Sequence, residues 1–87
     1  MDDEERIRRD VLSIVQTYGK VRPPVVADRD LYTEVGIKSV DAVSILLAIE
    51  SRFHISIDDD HFAGARTVNG LVDLLLSHPL GTGSRVA

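Results

Sequence analysis

Apolar positions in the first part of the chain recur with the spacing of an α-helix. They fall at i, i+4, i+7, i+8 and i+11, on one helical face: Ile7, Val11, Ile14, Val15 and Tyr18. Acidic residues precede this pattern and Gly19 follows it, which suits the positive N-terminal end of a helix dipole and a helix stop. The pattern predicts a first helix over about residues 3–18.

The same spacing predicts a second helix over about residues 40–53. Its apolar face is wider than a surface helix needs and comprises Ala42, Val43, Leu46, Leu47, Ile49 and Phe53. Asp58 and the acids after it supply an N-cap and first-turn charges for a short helix that ends near Gly64. These features place two helices in the middle of the chain.

A last helix is predicted to begin after Thr67 as its N-cap. Its apolar residues again recur at helical spacing: Val68, Leu71, Val72, Leu75 and Leu76. Gly70 costs about 1 kcal/mol relative to alanine in its first turn, so we expect that end to fray. Pro79 is expected to end the helix, and residues 79–87 to form a disordered tail.

The connection over residues 19–38 is too long to be structureless in a compact domain unless it is anchored. Pro23 and Pro24 exclude a continuing helix there, and Leu31, Val35 and Ile37 could pack beneath the helices. Residues 53–57 alternate like a strand but have no partner, so we expect an extended connector with inward isoleucines. The prediction is a single all-α domain over residues 1–78, a four-helix bundle with three longer helices and one short one.

The amino-acid composition excludes several kinds of site and partner. The 87 residues include no cysteine and have a formal net charge of −4, so disulfides, thiolate metal sites and a cysteine nucleophile are excluded. In residues 28–60 eight acidic residues stand against three basic ones, which leaves this third at −5. Such a surface disfavours nucleic acid and favours basic partners. The acidic start and the lack of a membrane-length apolar run indicate a cytoplasmic protein.

Ser39 opens the second predicted helix and is a candidate N-cap, whose loss would cost about 1 kcal/mol. Around it the chain reads Leu31-x-x-x-Val35-Gly36-x-x-Ser39-Val40-Asp41, followed by Ala48-Ile49-Glu50-x-x-Phe53-x-Ile55-x-Ile57. This pattern, over about residues 7–77, resembles the acyl carrier protein family, in which a serine after a Gly-x-x step carries a 4′-phosphopantetheine arm. The resemblance implies a carrier and not an enzyme, with the arm attached to Ser39.

The family also implies how such a site works. A phosphodiester on Ser39 would face the positive end of the helix dipole, and Gly36 would allow the modifying enzyme a close approach. The implied partners are a phosphopantetheinyl transferase and acyl-transferring, ligase or synthase enzymes with basic docking surfaces, acting on a monomeric carrier. The pathway would be fatty-acid, lipid or polyketide biosynthesis, while the cargo stays open between fatty acyl, polyketide, aminoacyl and D-alanyl groups.

The second helix is the surface that the family presents to its partners. Carried over to this chain, the partner-binding residues are Lys38, Val40, Asp41, Val43, Leu47 and Glu50, and the side bearing Val43 and Leu47 could shelter an acyl chain. The chain departs from the family in five places: Lys38 replaces the usual aspartate, Val40 a leucine, Ser44 and Ser51 glutamates, and Ile57 a proline. These departures favour a specialised member of the family with its own partners.

Three other interpretations fit the sequence less well. A small helical interaction module without a prosthetic group would explain the periodicity but not the Gly-x-x-Ser step. A hydrolase triad of Ser39 with His54, His61 or His78 lacks a nucleophile-elbow sequence. The histidines and acids around residues 54–61 match neither zinc spacing nor a calcium loop. We therefore predict no catalytic and no metal-binding residues.

Overall fold

The computed structural model describes residues 3–77 and contains four helices and no strand within that range. They are α1 (Asp3–Tyr18), α2 (Ser39–Phe53), α3 (Asp59–Gly64) and α4 (Val68–Leu76). This confirms the predicted all-α bundle with one short helix. Pro79 and the tail predicted over residues 79–87 lie outside the described residues.

The core lies where α1 meets α2 and α4, while α3 packs mainly on α4. It is aliphatic apart from Phe62, and no polar or charged residue of the described range is buried. Its most deeply buried side chains come from three helices and the long loop: Val11, Val15, Leu31, Ile45, Ile49, Val68, Leu71, Val72 and Leu75. Burial of these side chains, at about 1.5–3 kcal/mol each relative to exposure, is the main force that assembles the bundle.

The end of α1 differs from the expected glycine stop. Lys20 takes the left-handed conformation with φ of 56°, and the Val21 N–H donates to the Gln16 carbonyl, 3.4 Å away, in the pattern of a Schellman motif. Gly19 lies one residue earlier, where an added Cβ would meet the Val15 carbonyl oxygen and come within 2.9 Å of Ile37 Cδ1. Gly19 is therefore needed for close packing, and the helix-ending geometry belongs to Lys20.

The long connection is anchored as predicted. Leu31 and Ile37 are buried and Val35 is partly buried. The Ile37 N–H donates to the Leu31 carbonyl over 2.9 Å, and the Asn69 N–H of α4 donates to the Ala27 carbonyl over 3.0 Å. These contacts explain how so long a loop stays ordered, because its apolar residues enter the core and its backbone bonds to α4.

Both predicted N-caps in the second half of the chain are confirmed. Asp58 Oδ1 accepts a hydrogen bond from the His61 N–H over 2.8 Å, and Thr67 Oγ1 accepts one from the Gly70 N–H over 2.9 Å. In the connector between α2 and α3, Ile57 is buried and Ile55 partly buried, as expected for inward isoleucines. Fraying at Gly70 stays a prediction.

Candidate functional site

Ser39 is the first residue of α2 and is exposed. Lys38, with φ of −82° and ψ of 153°, occupies the N-cap position, and no side chain caps this helix end. The Lys38 carbonyl accepts from the Asp41 and Ala42 N–H groups, both at 3.0 Å. The prediction that Ser39 is the N-cap is therefore wrong by one residue. Its hydroxyl takes no part in capping, which leaves it available for chemistry.

The turn that precedes Ser39 depends on Gly36. This residue has φ of 94°, in the region that favours glycine, and a Cβ added to it would meet nothing within 4 Å. The need for glycine is thus set by the backbone conformation and not by crowding within the fold. The turn lets Ile37 enter the core while Lys38 and Ser39, the next two residues, stay at the surface.

A hydrogen-bonded cluster holds the loop beside this turn to the connection between α3 and α4. The Asp30 carboxylate accepts from Arg66 Nε at 2.7 Å and Nη2 at 3.1 Å, and from the Tyr32 and Thr33 N–H groups at 2.9 Å each. Arg66 also lies over the Tyr32 ring, 5.0 Å from its centroid. We call the Asp30–Arg66 pair the clasp.

The pKa values of side chains in and beside the clasp are shifted from their usual values. Hydrogen bonding from Arg66, with help from the Thr33 and Tyr32 N–H groups, holds the pKa of the Asp30 carboxyl well below its usual range. Burial raises the pKa of the Tyr32 phenol. Sequence reasoning missed this cluster because its two charged partners are 36 positions apart and share no local motif.

An open groove of about 500 Å³ begins at Ser39. Its walls come from α2, α3 and the long loop, and they are mostly apolar: Ile37, Ala42, Val43, Leu46, Phe62 and Ala63. Polar groups from Tyr32, Asp59 and Arg66 also line it. The exposed serine hydroxyl therefore stands at the edge of an apolar depression, and Arg66 links that depression to the clasp.

The apolar residues of α2 form an exposed set and a buried set, and not the single wide face that was predicted. Val40, Val43 and Leu47 are 71%, 57% and 59% exposed, whereas the buried side of the helix is formed by Ile45 and Ile49. Val43 lines the groove, but Leu47 does not. The surplus of apolar residues on α2 is the sequence signal from which this exposed apolar surface could have been predicted, since one helix face suffices for the core.

The two acids of α2 that were expected to bind partners are engaged within the fold. The Asp41 side chain is only 14% exposed, and its Oδ1 lies 3.7 Å from Lys20 Nζ at the end of α1. Glu50 Oε2 accepts a hydrogen bond from the Ile57 N–H over 2.8 Å. Glu50 also lies about 16 Å along the helix from Ser39. Both carboxylates thus stabilise neighbouring segments of this chain.

The candidate catalytic and metal residues do not form a second site. His61 Nδ1 lies 2.8 Å from Asp58 Oδ1, at the cap of α3. Residues 3–77 contain no group of three or more histidine or acidic side chains that could hold a metal ion. His78 lies outside the described part of the chain. No described helix is long and apolar enough to cross a membrane.

Comparison with known proteins shows the family to which the chain belongs. A family model described as the phosphopantetheine attachment site matches residues 9–75. Mitochondrial acyl carrier protein 2 of Arabidopsis thaliana is 30% identical over 78 residues, covering 88% of this chain and 62% of that protein. The mitochondrial acyl carrier protein of Saccharomyces cerevisiae is 27% identical over 81 residues, with 87% and 65% covered. Acyl carrier protein 3 of Ralstonia nicotianae is 30% identical over 74 residues, 85% of each chain.

The chain belongs to the phosphopantetheine-attachment family of acyl carrier proteins. This confirms the family that the sequence pattern around Ser39 indicated. Acyl carrier proteins are carriers and not enzymes, in agreement with the prediction. The chain spans less than two thirds of the length of its plant and yeast mitochondrial relatives.

Proposed function

We propose that this chain is an acyl carrier in which Ser39 bears a 4′-phosphopantetheine arm. The thiol of that arm holds acyl intermediates as thioesters, which the carrier presents to enzymes of fatty-acid, lipid or polyketide biosynthesis. The observation that supports this most is the exposed Ser39 hydroxyl, unengaged in capping, at the start of α2 and at the edge of an apolar groove. An enzyme can reach such a hydroxyl without disturbing the fold.

The start of α2 suits a phosphodiester on Ser39. The first backbone N–H groups of any helix lack acceptors further along it, and they give this end a partial positive charge. An anionic group attached to Ser39 is stabilised by that charge. Lys38, exposed immediately before the serine, adds a full positive charge of the same sign. The residues present therefore fit the group.

The groove gives the cargo a place beside its attachment point. Six apolar side chains line it, and it is open to solvent along its length. We propose that it takes the first part of an acyl chain, which would gain about 0.8 kcal/mol for each buried methylene group. The proposed shelter includes Val43, whereas Leu47 does not line the groove.

We propose a phosphopantetheinyl transferase as the first partner, and acyl-transferring, ligase or synthase enzymes as later ones. The carrier would act as a monomer in the cytoplasm. Detection in the mitochondrial fraction of the source cell would overturn this location, and light scattering would test the monomer.

Intact mass tests the attachment site directly. The purified chain is incubated with coenzyme A and a broad-specificity transferase, next to Ser39→Ala as the matched control. We expect one phosphopantetheine on the parent and none on the variant. Modification of Ser39→Ala would show that the site is elsewhere. No gain on the parent with any of a panel of transferases that each modify other carrier proteins would refute the carrier function.

The same variant tests the corrected position of Ser39 in the helix. Because the hydroxyl makes no capping bond, Ser39→Ala should change the free energy of unfolding by less than about 0.5 kcal/mol. A loss of about 1 kcal/mol, as for a true N-cap, would contradict this assignment. Urea denaturation followed by far-UV circular dichroism makes the measurement, and Thr67→Ala, which removes an observed cap, provides the comparison.

A further inference from the structure

The two lysines of the chain both lie at the end of the bundle that carries Ser39. Eight of the ten basic residues in the sequence are arginines, and the other two are Lys20 and Lys38. Lys38 immediately precedes Ser39, and Lys20 Nζ lies 3.7 Å from Oδ1 of Asp41, in the first turn of α2. An arginine guanidinium stays protonated, whereas a lysine amine can lose its proton and attack a carbonyl carbon. The side-chain amines of this chain are therefore gathered beside the proposed attachment site.

The two lysines differ in what holds them. The carboxylate that Lys20 faces belongs to Asp41, whose side chain is only 14% exposed, so the Lys20 amine must leave an internal contact before it can attack. Lys38 is exposed and has no ion pair among residues 3–77. Its extended backbone, with φ of −82° and ψ of 153°, leads directly into α2. Of the two amines, only that of Lys38 is without a charged partner in the described part of the chain.

A thioester on the arm would be tethered within reach of Lys38. The Cα atoms of adjacent residues are about 3.8 Å apart, so the amine and the arm start from neighbouring points on an exposed surface. A short flexible tether gives two such groups an effective concentration on the order of millimolar. The groove begins at Ser39, so an acyl chain lying in it keeps the thioester at this end of the bundle. The Lys38 amine therefore meets the thioester more often than does an amine on another molecule in dilute solution.

We infer that the Lys38 side-chain nitrogen is an acylation site for the cargo that Ser39 carries. This rests on the proposed function and adds a second covalent site beside the first. The neutral amine attacks the thioester carbonyl carbon, a C–N bond forms, and the C–S bond then breaks. The nitrogen gives up a proton and the departing thiolate takes one up. The products are an amide on Lys38 and a free thiol on the arm, and no other reactant is needed.

The amine stands where an aspartate is usual in the family, and an aspartate there would offer no nucleophile. Acylation removes the positive charge of Lys38 and places the acyl chain next to Ser39 through an amide, which the exchange reactions of thioesters do not reverse. This transfer competes with delivery of the cargo to an enzyme, and it prevails when no enzyme takes the acyl group. The amide would thus mark those chains whose cargo was not collected.

Mass spectrometry of an acyl-loaded chain tests this inference. A phosphopantetheinyl transferase and octanoyl-coenzyme A load Ser39 with an octanoyl arm, and the loaded chain is purified away from coenzyme A. It is then held at about pH 8.5, where more of an ordinary lysine is neutral than at neutral pH. Hydroxylamine is added last, because it cleaves thioesters and leaves amides. We expect an octanoyl group that survives this treatment and that tandem mass spectrometry places on Lys38.

Two lysine variants show which amine reacts. Lys38→Arg keeps the positive charge and removes the nucleophile, so we expect the surviving octanoyl group to fall by at least about tenfold. Lys20→Arg is the matched control, and its yield should stay within about twofold of the parent value because the tethered amine of Lys38 is still present. Loss of the amide in Lys20→Arg but not in Lys38→Arg would place the reaction on Lys20 and overturn the inference.

Dilution shows whether the arm delivers the acyl group within one molecule. Intramolecular transfer is first order, so the half-time of amide formation should change less than about twofold when the protein is diluted about tenfold. Ser39→Ala mixed with the same concentration of octanoyl-coenzyme A should acquire at least about tenfold less octanoyl on Lys38. A half-time that lengthens in proportion to dilution, or equal acylation of Ser39→Ala, would mean that the acyl group arrives from solution and would contradict the inference.

These outcomes separate the two proposals. If no transferase of the panel loads the parent, the proposed function fails and the acylation site fails with it. If the parent is loaded but hydroxylamine then removes all of its octanoyl, the carrier function stands and only the inference is lost. Circular dichroism spectra of each variant, matched to the parent, show that changes in yield do not come from unfolding.

Discussion

Two walls of the groove, the long loop and α3, are supported in different ways. The loop wall, residues 30–37, has an internal hydrogen bond from the Ile37 N–H to the Leu31 carbonyl. It also bonds to the connection between α3 and α4, where the Leu31 N–H donates to the Arg66 carbonyl over 2.7 Å, and the clasp adds to these contacts. The opposite wall, α3, is six residues long and packs mainly on α4. Ser39 follows directly from the loop wall. The attachment point is thus held in place, while the facing wall has less to restrain it.

Gly19→Ala would break the loop wall and should have the largest effect. The new Cβ would run into the Val15 carbonyl and lie 2.9 Å from Ile37 Cδ1, so either the end of α1 or the turn before Ser39 must shift. We expect a loss of about 2–3 kcal/mol in the free energy of unfolding, measured by urea denaturation.

Gly64→Ala is the counterpart on α3. A Cβ there meets nothing within 4 Å and the residue lies at a helix end, so we expect no loss and a gain of up to about 1 kcal/mol. Equal destabilisation by the two substitutions would show that the walls are equally constrained, and would remove the distinction between them.

Asp30→Asn would weaken the loop wall without a steric clash, and its effect should depend on pH. The folded-state pKa of Asp30 lies below its ordinary value of 3.8, so the unfolded chain takes up this proton first as the pH falls. The stability that Asp30 contributes is therefore fully present above that ordinary value and is lost as the pH drops toward the lowered folded-state pKa.

The expected result is a variant less stable than the parent at neutral pH, with a difference that shrinks below about pH 4. Urea midpoints across the acid range measure it. Asp73→Asn, an exposed position on α4 without a side-chain ion pair among the described residues, serves as the control. A difference between Asp30→Asn and the parent that stays constant with pH would argue against the clasp.

Asp58→Ala tests the α3 wall of the groove and should have the smallest effect on global stability. It removes the cap that accepts the His61 N–H at the start of α3, and α3 is a helix with few other supports. We expect faster amide hydrogen exchange in α3 and unchanged exchange at Leu31 and Ile37, followed by NMR. Equal acceleration in both walls would mean that they open together.

Features set by local chemistry were predictable from the sequence. The bounds of α1 and the caps Asp58 and Thr67 depend on neighbouring residues alone, and each was placed correctly. The role expected for Gly36, a close approach by the modifying enzyme, stays a prediction, while the structure adds a separate need for glycine there, its positive φ, which no sequence pattern displays. The start of α2 was placed one residue late because a serine before an apolar run indicates a cap, whereas the backbone of Lys38 occupies that position.

Features that depend on tertiary contacts were not predictable. Helical periodicity ranks the residues of α2 as apolar but does not say which of two apolar faces the core takes, so it could not show that Val43 lines the groove while Leu47 does not. The same limit applies to Asp41 and Glu50, whose partners Lys20 and Ile57 come from other segments. Lys38 was identified from the sequence as the unusual residue, and the structure adds that its charge is uncompensated within the described residues.

The extended Lys38 backbone at the start of α2 also affects whether the chain can fold before Ser39 is modified. Since no contact within the described fold depends on the Ser39 hydroxyl, folding can be complete before any group is attached, and removal of that group leaves the scaffold as it was. The unmodified chain would thus be a folded substrate, and the attached group would add stability through the positive charge at the start of α2. The ratio of the unmodified and modified pools would be set mainly by the rates of attachment and removal.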